Sequence, residues 1–117
     1  GVTVRRFRKH FTPRVVEVNG HKFASLAEGR RYGELNLACR TGAIRDLKVH
    51  PRLPMVINGV KIGRGWFEAD FSYLEHRDGA ERLIYEDVKG GGETDNQKTR
   101  RQVAEAVNRV TIEIVQR

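Results

Sequence analysis

The sequence predicts a small α/β domain in which a mixed sheet is flanked by two helices and preceded by a hairpin. Three observations predict it: Asn-Gly and Asp-Gly pairs separate short strand candidates, two capping motifs open helices, and the element order is hairpin, helix, three or four strands, helix, strand. Counted from the first helix, that order is αβββαβ. A chain of 117 residues is long enough for one domain with a single core.

The first fourteen residues are expected to form a basic N-terminal arm. They carry five basic side chains and no acidic one, so the arm has no internal charge partner. The single domain then covers residues 15–117. It opens with a hairpin over 15–18 and 21–23, because Asn19-Gly20 favours the positive φ angles of a type I′ turn.

Two helices are predicted from their first turns. Ser25 and Glu28 form a Ser-x-x-Glu capping box, and this helix should run to about Arg40 and stop at Gly42. Residues 28, 32, 35 and 39 make a mostly apolar stripe, which places Glu28 on the inward face. The second helix is expected after the triple glycine at 90–92, opened by Thr94 with Gln97.

Strand candidates lie around residues 44–49, 55–63, 66–74 and 82–89, and a last one at 111–115. Asp78-Gly79 marks the turn between the strand of Asp70 and the strand of Asp87. If those two strands pair, both aspartates lie near the same end of the sheet. Asp87 and Lys89 then share one face, because side chains in a strand alternate.

Composition restricts the partners. Lys and Arg total 22 against 15 Asp and Glu, giving a net charge of +7, which favours a polyanion and most often nucleic acid. A single cysteine excludes an internal disulfide and a cysteine-rich zinc site. No apolar run approaches the roughly 18 residues of a membrane span, so we expect a cytoplasmic protein without a membrane partner.

The aspartate pair predicts a cation site. Two carboxylates about 4 Å apart repel by roughly 4 kcal/mol at an effective dielectric of 20, so such a pair must take up a proton, bind a cation or lie further apart. A divalent metal held through oxygen ligands resolves the conflict. Structural alternatives stay open: Asp70 could cap loop amides, and Asp87 with Lys89 could be a surface ion pair worth about 0.2–1 kcal/mol.

Three further residues have competing interpretations. Glu28 could be a ligand or only a helix cap, and the two are weighted equally. Glu86 points away from Asp87 and is expected to be a surface or salt-bridge residue. His50 could be a polar accessory residue of the site, although a partly buried structural histidine is favoured.

Three stretches, 20–28 (GHKFASLAE), 69–71 (ADF) and 86–90 (EDVKG), resemble a family of small phage and prophage proteins of uncharacterised function. That family is placed in the PD-(D/E)XK nuclease superfamily, near archaeal-type Holliday junction resolvases. The resemblance covers residues 15–115. Ala69 stands where the superfamily signature has proline.

The resemblance implies a restriction-endonuclease-like core and a Mg²⁺- or Mn²⁺-dependent endonuclease that hydrolyses DNA, with branched or recombining phage DNA as a candidate substrate. Asp70, Asp87 and the Val88 carbonyl would ligate the metal. Glu28 would hold a metal-bound water or a second ion, and Lys89 would position the attacking water. Products with 5′-phosphate and 3′-hydroxyl ends are expected by analogy alone.

DNA contacts would come from the arm and the second helix. The residues are Arg5, Arg6, Arg8, Lys9, Lys98, Arg100 and Arg101. A likeness to resolvases also implies a homodimer, in the host cytoplasm if the protein is phage-encoded. The alternative function, motivated by the net charge of +7, is a non-catalytic DNA-binding protein on a nuclease-like scaffold.

Overall fold

A computed structural model of the protein describes residues 2–5 and 15–117. Nine strands and two helices occur in these ranges. The strands are β1 (Val2–Arg5), β2 (Val15–Val18), β3 (His21–Phe23), β4 (Ile44–Val49), β5 (Arg52–Ile57), β6 (Val60–Glu68), β7 (Phe71–Arg77), β8 (Ala80–Lys89) and β9 (Ile112–Gln116). The helices are α1 (Leu26–Arg40) and α2 (Asp95–Asn108).

The main sheet is mixed, with strand order β4-β7-β8-β9. β4, β7 and β8 pair antiparallel, whereas β8 and β9 run parallel because α2 provides the crossover between them. Read along the chain, α1, the three antiparallel strands, α2 and β9 follow an αβββαβ order. The prediction of a mixed α/β fold with two helices is therefore confirmed.

Three hairpin turns join neighbouring strands. Both residues of each turn dipeptide have positive φ, as a type I′ turn requires. The dipeptides are Asn19-Gly20, Asn58-Gly59 and Asp78-Gly79. The single strand expected at 55–63 was wrong, because the Asn-Gly pair folds that segment back into the β5–β6 hairpin. The strand expected at 66–74 is interrupted before Phe71, where β6 gives way to β7.

Two apolar clusters lie on opposite faces of β8. Ile84 and Val88 pack in the larger cluster, beneath α1 and the β2–β3 hairpin. Tyr85 packs against the smaller cluster, which joins the β5–β6 hairpin to α2 and β9. Because side chains alternate along a strand, Glu86 faces the α1 side, and Asp87 and Lys89 face the α2 side.

One strand lies within the segment predicted to be a basic N-terminal arm. Val2–Arg5 form a strand that pairs antiparallel with β2, because the outer edge of β2 offers unpaired main-chain groups. The expected arm therefore includes an ordered strand, and its residues 6–14 lie outside the described ranges. No helix in the described part of the chain is long and apolar enough to cross a membrane.

Candidate active site

Asp70 lies between the end of β6 and the start of β7, and its main chain is fixed on both sides. Its N–H donates to the Glu86 carbonyl at 3.0 Å, and its carbonyl accepts from the His50 N–H at 2.9 Å. Its carboxylate Oδ2 accepts from the Val88 N–H at 2.6 Å. Three hydrogen bonds thus hold this carboxylate at one end of the main sheet.

Asp87 and Lys89 share one face of β8, as the period-two spacing predicts. Asp87 is only 5% exposed, and the Lys89 Nζ lies 3.6 Å from its Oδ2. The pairing of β7 with β8 brings Phe71 opposite Glu86, so Asp70 and Asp87 lie at the same end of the sheet. That prediction is confirmed.

Glu28 occupies the first turn of α1 and is 8% exposed. The Ser25 Oγ accepts from its N–H at 3.2 Å, as a capping box requires. Its own Oε2 accepts from the Ala24 N–H at 2.9 Å, one residue earlier than the reciprocal bond of a standard box. Glu28 therefore caps the helix, and it also reaches the cleft described next.

One cleft of about 200 Å³ collects the predicted acids and lysine. It is lined by Glu28, Phe67, Glu68, Asp70, Asp87, Val88, Lys89, Gln97 and Arg100. The four predicted side chains among them come from α1, the residue just before β7 and the end of β8; they are Glu28, Asp70, Asp87 and Lys89. Folding thus brings together side chains that the sequence separates by up to about sixty positions.

The electrostatics of the cleft are those of crowded acids. Burial, followed by the neighbouring Glu28 carboxyl, raises the pKa of Asp70 to about 8. Burial, followed by the charge of Asp70, raises the pKa of Asp87 to about 6. The Lys89 ammonium opposes both shifts without cancelling them. Removing water from a carboxylate disfavours its charged form, so the cleft favours a proton or a cation.

The Val88 main chain faces Asp70. The N–H and the carbonyl of one strand residue point toward the same edge, and the Val88 N–H is bonded to the Asp70 carboxylate. β7 begins at Phe71, opposite Glu86, so no β7 residue pairs with Val88. The carbonyl proposed as a ligand thus lies on the Asp70 side of β8.

Glu86 corrects one expectation. It is not a surface residue but is 2% exposed, and its carboxylate accepts two hydrogen bonds from Arg31, at 2.9 Å from Nε and 2.7 Å from Nη2. The Tyr73 hydroxyl donates a third. The salt-bridge part of that prediction is confirmed, and the partner is Arg31 on α1.

The predicted DNA-contacting residues divide into three groups. Lys98 and Arg100 are exposed on α2, and Arg100 lines the cleft. Arg101 is instead 14% exposed and held by Glu93, through bonds of 2.9 and 3.0 Å, and by Glu105. Its guanidinium is therefore a structural ion-pair partner. The third group lies in the N-terminal segment. Arg6, Arg8 and Lys9 are outside the described ranges, and of Arg5, in β1, only the backbone is described.

His50 lies beside two of the predicted acids. One ligand atom from each of Glu28, His50 and Asp70 lies within 4.8 Å of the others. β4 pairs with β7 so that Val49 lies opposite Phe71, and this register places His50 beside Asp70. Glu68 also lines the cleft, although no motif singled it out.

Fold and site together define a mixed α/β protein with a carboxylate-rich cleft and one lysine at the end of its main sheet. The chain belongs to the family described as "Protein of unknown function (DUF1064)", whose model matches residues 8–115. No curated protein and no solved structure matches the chain.

Proposed function

We propose that this protein is a metal-dependent endonuclease that hydrolyses DNA phosphodiester bonds. The observation that carries the proposal is the convergence of Asp70, Asp87, Glu28 and Lys89 on one cleft. Glu28 and Asp87 are buried and Asp70 is half-buried between them, and only Asp87 has a close cationic partner among the described residues. The buried carboxylate of Glu86, by contrast, is paired with Arg31.

The donor set of the cleft fits a hard divalent cation. Mg²⁺ and Mn²⁺ take oxygen ligands, and Asp70, Asp87 and the Val88 carbonyl supply them at one end of the sheet. The raised pKa values of the two aspartates are the expected cost of placing them together without such an ion. When bound, the cation would supply Lewis-acid stabilisation of negative charge on a phosphoryl oxygen.

Lys89 is the residue that would act on the substrate directly. Its ammonium lies beside Asp87 and lines the cleft, where it can donate to a phosphate oxygen or orient a water molecule for attack. Cationic donors fixed before reaction stabilise the charge that develops in the transition state. The ion pair with Asp87 holds this ammonium in the cleft, where it would contact a bound phosphate.

Two features support DNA as the substrate. The net charge is +7, and exposed Lys98 and Arg100 extend the basic surface from the cleft along α2. The αβββαβ order of the main sheet and its helices is compatible with the PD-(D/E)XK nuclease core that the sequence resembles. A phage role, branched DNA as the substrate and a homodimer belong to the same proposal.

The cleavage of DNA by purified protein tests the proposal. Plasmid and four-way-junction DNA are incubated with Mg²⁺ or Mn²⁺, and in parallel with EDTA. We expect cleavage that EDTA abolishes and that Asp87→Asn reduces at least about 100-fold, since each 1.36 kcal/mol of lost stabilisation is a factor of ten. The matched control is Glu81→Gln on the same strand, an exposed acid paired with Arg45, which should leave the rate unchanged.

Cleavage that survives Asp87→Asn or EDTA would contradict the proposal. The net charge also favours a second candidate, a DNA-binding protein without catalysis. That candidate predicts salt-dependent DNA binding, no heat of Mg²⁺ binding in titration calorimetry, and no metal-stimulated cleavage of either DNA.

A further inference from the structure

The cleft that holds Asp87 and Lys89 is one of two that meet at Glu28 and Asp70. A second, more open cleft of about 360 Å³ lies on the other side of these carboxylates. It is lined by Val15, Lys22, Phe23, Ala24, Glu28, His50, Glu68 and Asp70. Neither Asp87 nor Lys89 lines it, and His50 does not line the first cleft.

From this arrangement we propose a second divalent-cation site, formed by His50, Glu28 and Asp70, that takes a transition metal such as Mn²⁺ in preference to Mg²⁺. It deepens the proposed function, and rests on it, because it shares Asp70 with the first cation site and Glu28 with the first cleft. Its nitrogen donor separates the two sites chemically. Imidazole suits transition metals, whereas Mg²⁺ takes oxygen ligands and holds most of its waters.

The distances fit one ion. Ligand atoms about 2.0–2.3 Å from a common metal are at most about 4.6 Å apart, and the three donor atoms already lie within 4.8 Å of one another. A small side-chain rotation therefore closes the set around an ion. Three protein ligands also leave positions open for water or phosphate.

Each ligand has capacity to spare. Glu28 uses Oε2 to accept from the Ala24 N–H, and Asp70 uses Oδ2 to accept from the Val88 N–H, so each main-chain bond fixes one oxygen and leaves the other. Within residues 15–117 the His50 imidazole makes no hydrogen bond. A half-buried ring with free nitrogens beside two carboxylates is suited to metal ligation.

The surrounding structure holds the three groups in place. The His50 ring packs against Phe23 with centroids 5.8 Å apart, and its main-chain N–H donates to the Asp70 carbonyl at 2.9 Å. Glu28 is fixed in the first turn of α1 by the Ser25 cap. All three ligands thus come from positions that the fold determines before a metal binds.

Mn²⁺ binding to the purified full chain, followed by electron paramagnetic resonance, tests the inference without reference to cleavage. We expect two Mn²⁺ per chain, one of them showing ¹⁴N coupling from imidazole in pulsed spectra. An excess of Mg²⁺ should displace the ion without nitrogen coupling first. His50→Phe retains a ring against Phe23 but lacks nitrogen, and should remove the ¹⁴N coupling and weaken one site at least about tenfold.

Two variants complete the design. His76→Ala removes an exposed histidine of β7 and should leave both ions and the ¹⁴N coupling unchanged. Asp87→Asn should weaken the other site and retain the nitrogen-coupled ion.

The two proposals fail separately in this experiment. Mn²⁺ binding without ¹⁴N coupling, or coupling that persists in His50→Phe, overturns the second site and leaves the nuclease proposal standing. A nitrogen-coupled ion in a protein that cleaves no DNA supports the second site and contradicts the nuclease. Absence of any Mn²⁺ binding overturns both.

Discussion

Glu86 and Asp87 are neighbours on β8, both almost completely buried at 2% and 5% exposure, yet they face opposite sides of the strand. Glu86 accepts from Arg31 and from the Tyr73 hydroxyl. Asp87 has one ammonium at 3.6 Å, and burial, followed by the charge of the neighbouring Asp70 carboxylate, raises its pKa. A buried carboxylate that accepts hydrogen bonds from arginine and tyrosine stabilises the fold, whereas one crowded by other acids is available to bind a cation.

The pKa values on the two faces follow the same division. On the α1 face, the bond to Glu86 raises the pKa of Arg31, and burial with that same carboxylate raises the pKa of Tyr73. Arg31 and Tyr73 thus stay protonated and donate hydrogen bonds to the Glu86 carboxylate. On the α2 face, Asp70 and Asp87 have pKa values raised into the neutral range.

The largest expected effect on stability comes from removing the Glu86 carboxylate. Glu86→Ala leaves the mostly buried Arg31 guanidinium without its main partner, and removing one member of a buried pair costs about 3–5 kcal/mol. We expect the free energy of unfolding, measured by urea denaturation, to fall by that amount. Glu81→Ala on the same strand removes an exposed carboxylate and should change it little. Equal losses in the two variants would contradict the comparison.

The pH dependence of stability tests the crowding of Asp70 and Asp87. The folded-state pKa of Asp70, about 8, lies above its ordinary value of 3.8, so the folded protein keeps a proton that the unfolded chain loses. The stability of the metal-free protein should therefore fall as pH rises from about 4 to about 8. Asp70→Asn should flatten this dependence and be the more stable protein at about pH 9, by on the order of 3 kcal/mol.

Urea denaturation in EDTA at several pH values measures the effect. Adding Mn²⁺ should restore the stability of the unsubstituted protein at high pH, because a ligand of the folded state stabilises it, and should do less for Asp70→Asn. A metal-free protein whose stability rises through this window, with Asp70→Asn following the same curve, would show that the acids are not crowded.

Local chemistry explains which parts of the molecule were predictable. The turns at Asn19-Gly20 and Asp78-Gly79 and the caps of α1 and α2 depend on residues at most four apart, and all of these were predicted. The shared face of Asp87 and Lys89 follows from strand periodicity alone. These features need no knowledge of tertiary contacts.

The features that were missed depend on distant partners. Glu86 is buried because Arg31, 55 residues away, accompanies it across the helix–sheet interface. His50 lies beside Asp70 only once β4 pairs with β7. Val2–Arg5 become a strand only because β2 offers an edge. No short window of sequence contains these partners.

The smallest effect tests whether one helix serves both faces, since α1 contributes Glu28 to the cleft and Arg31 to Glu86. α1 lies close to β2 at Gly29, where an added Cβ would come within 2.8 Å of the Val16 Cγ1. Val16 is fully buried and stiff at χ1, so Gly29→Ala should displace the helix. We expect thermal and urea denaturation to show a loss of about 1–3 kcal/mol, and cleavage to fall as well.

Gly33, one turn later on the same helix, is the matched control. An added Cβ there meets nothing within 4 Å, and alanine in an exposed helix interior is favoured over glycine by about 0.5–1 kcal/mol. Gly33→Ala should therefore stabilise the protein and leave cleavage unchanged. If Gly29→Ala instead lowers stability while cleavage and Mn²⁺ binding persist, Glu28 is only a helix cap, and the cleft functions without α1.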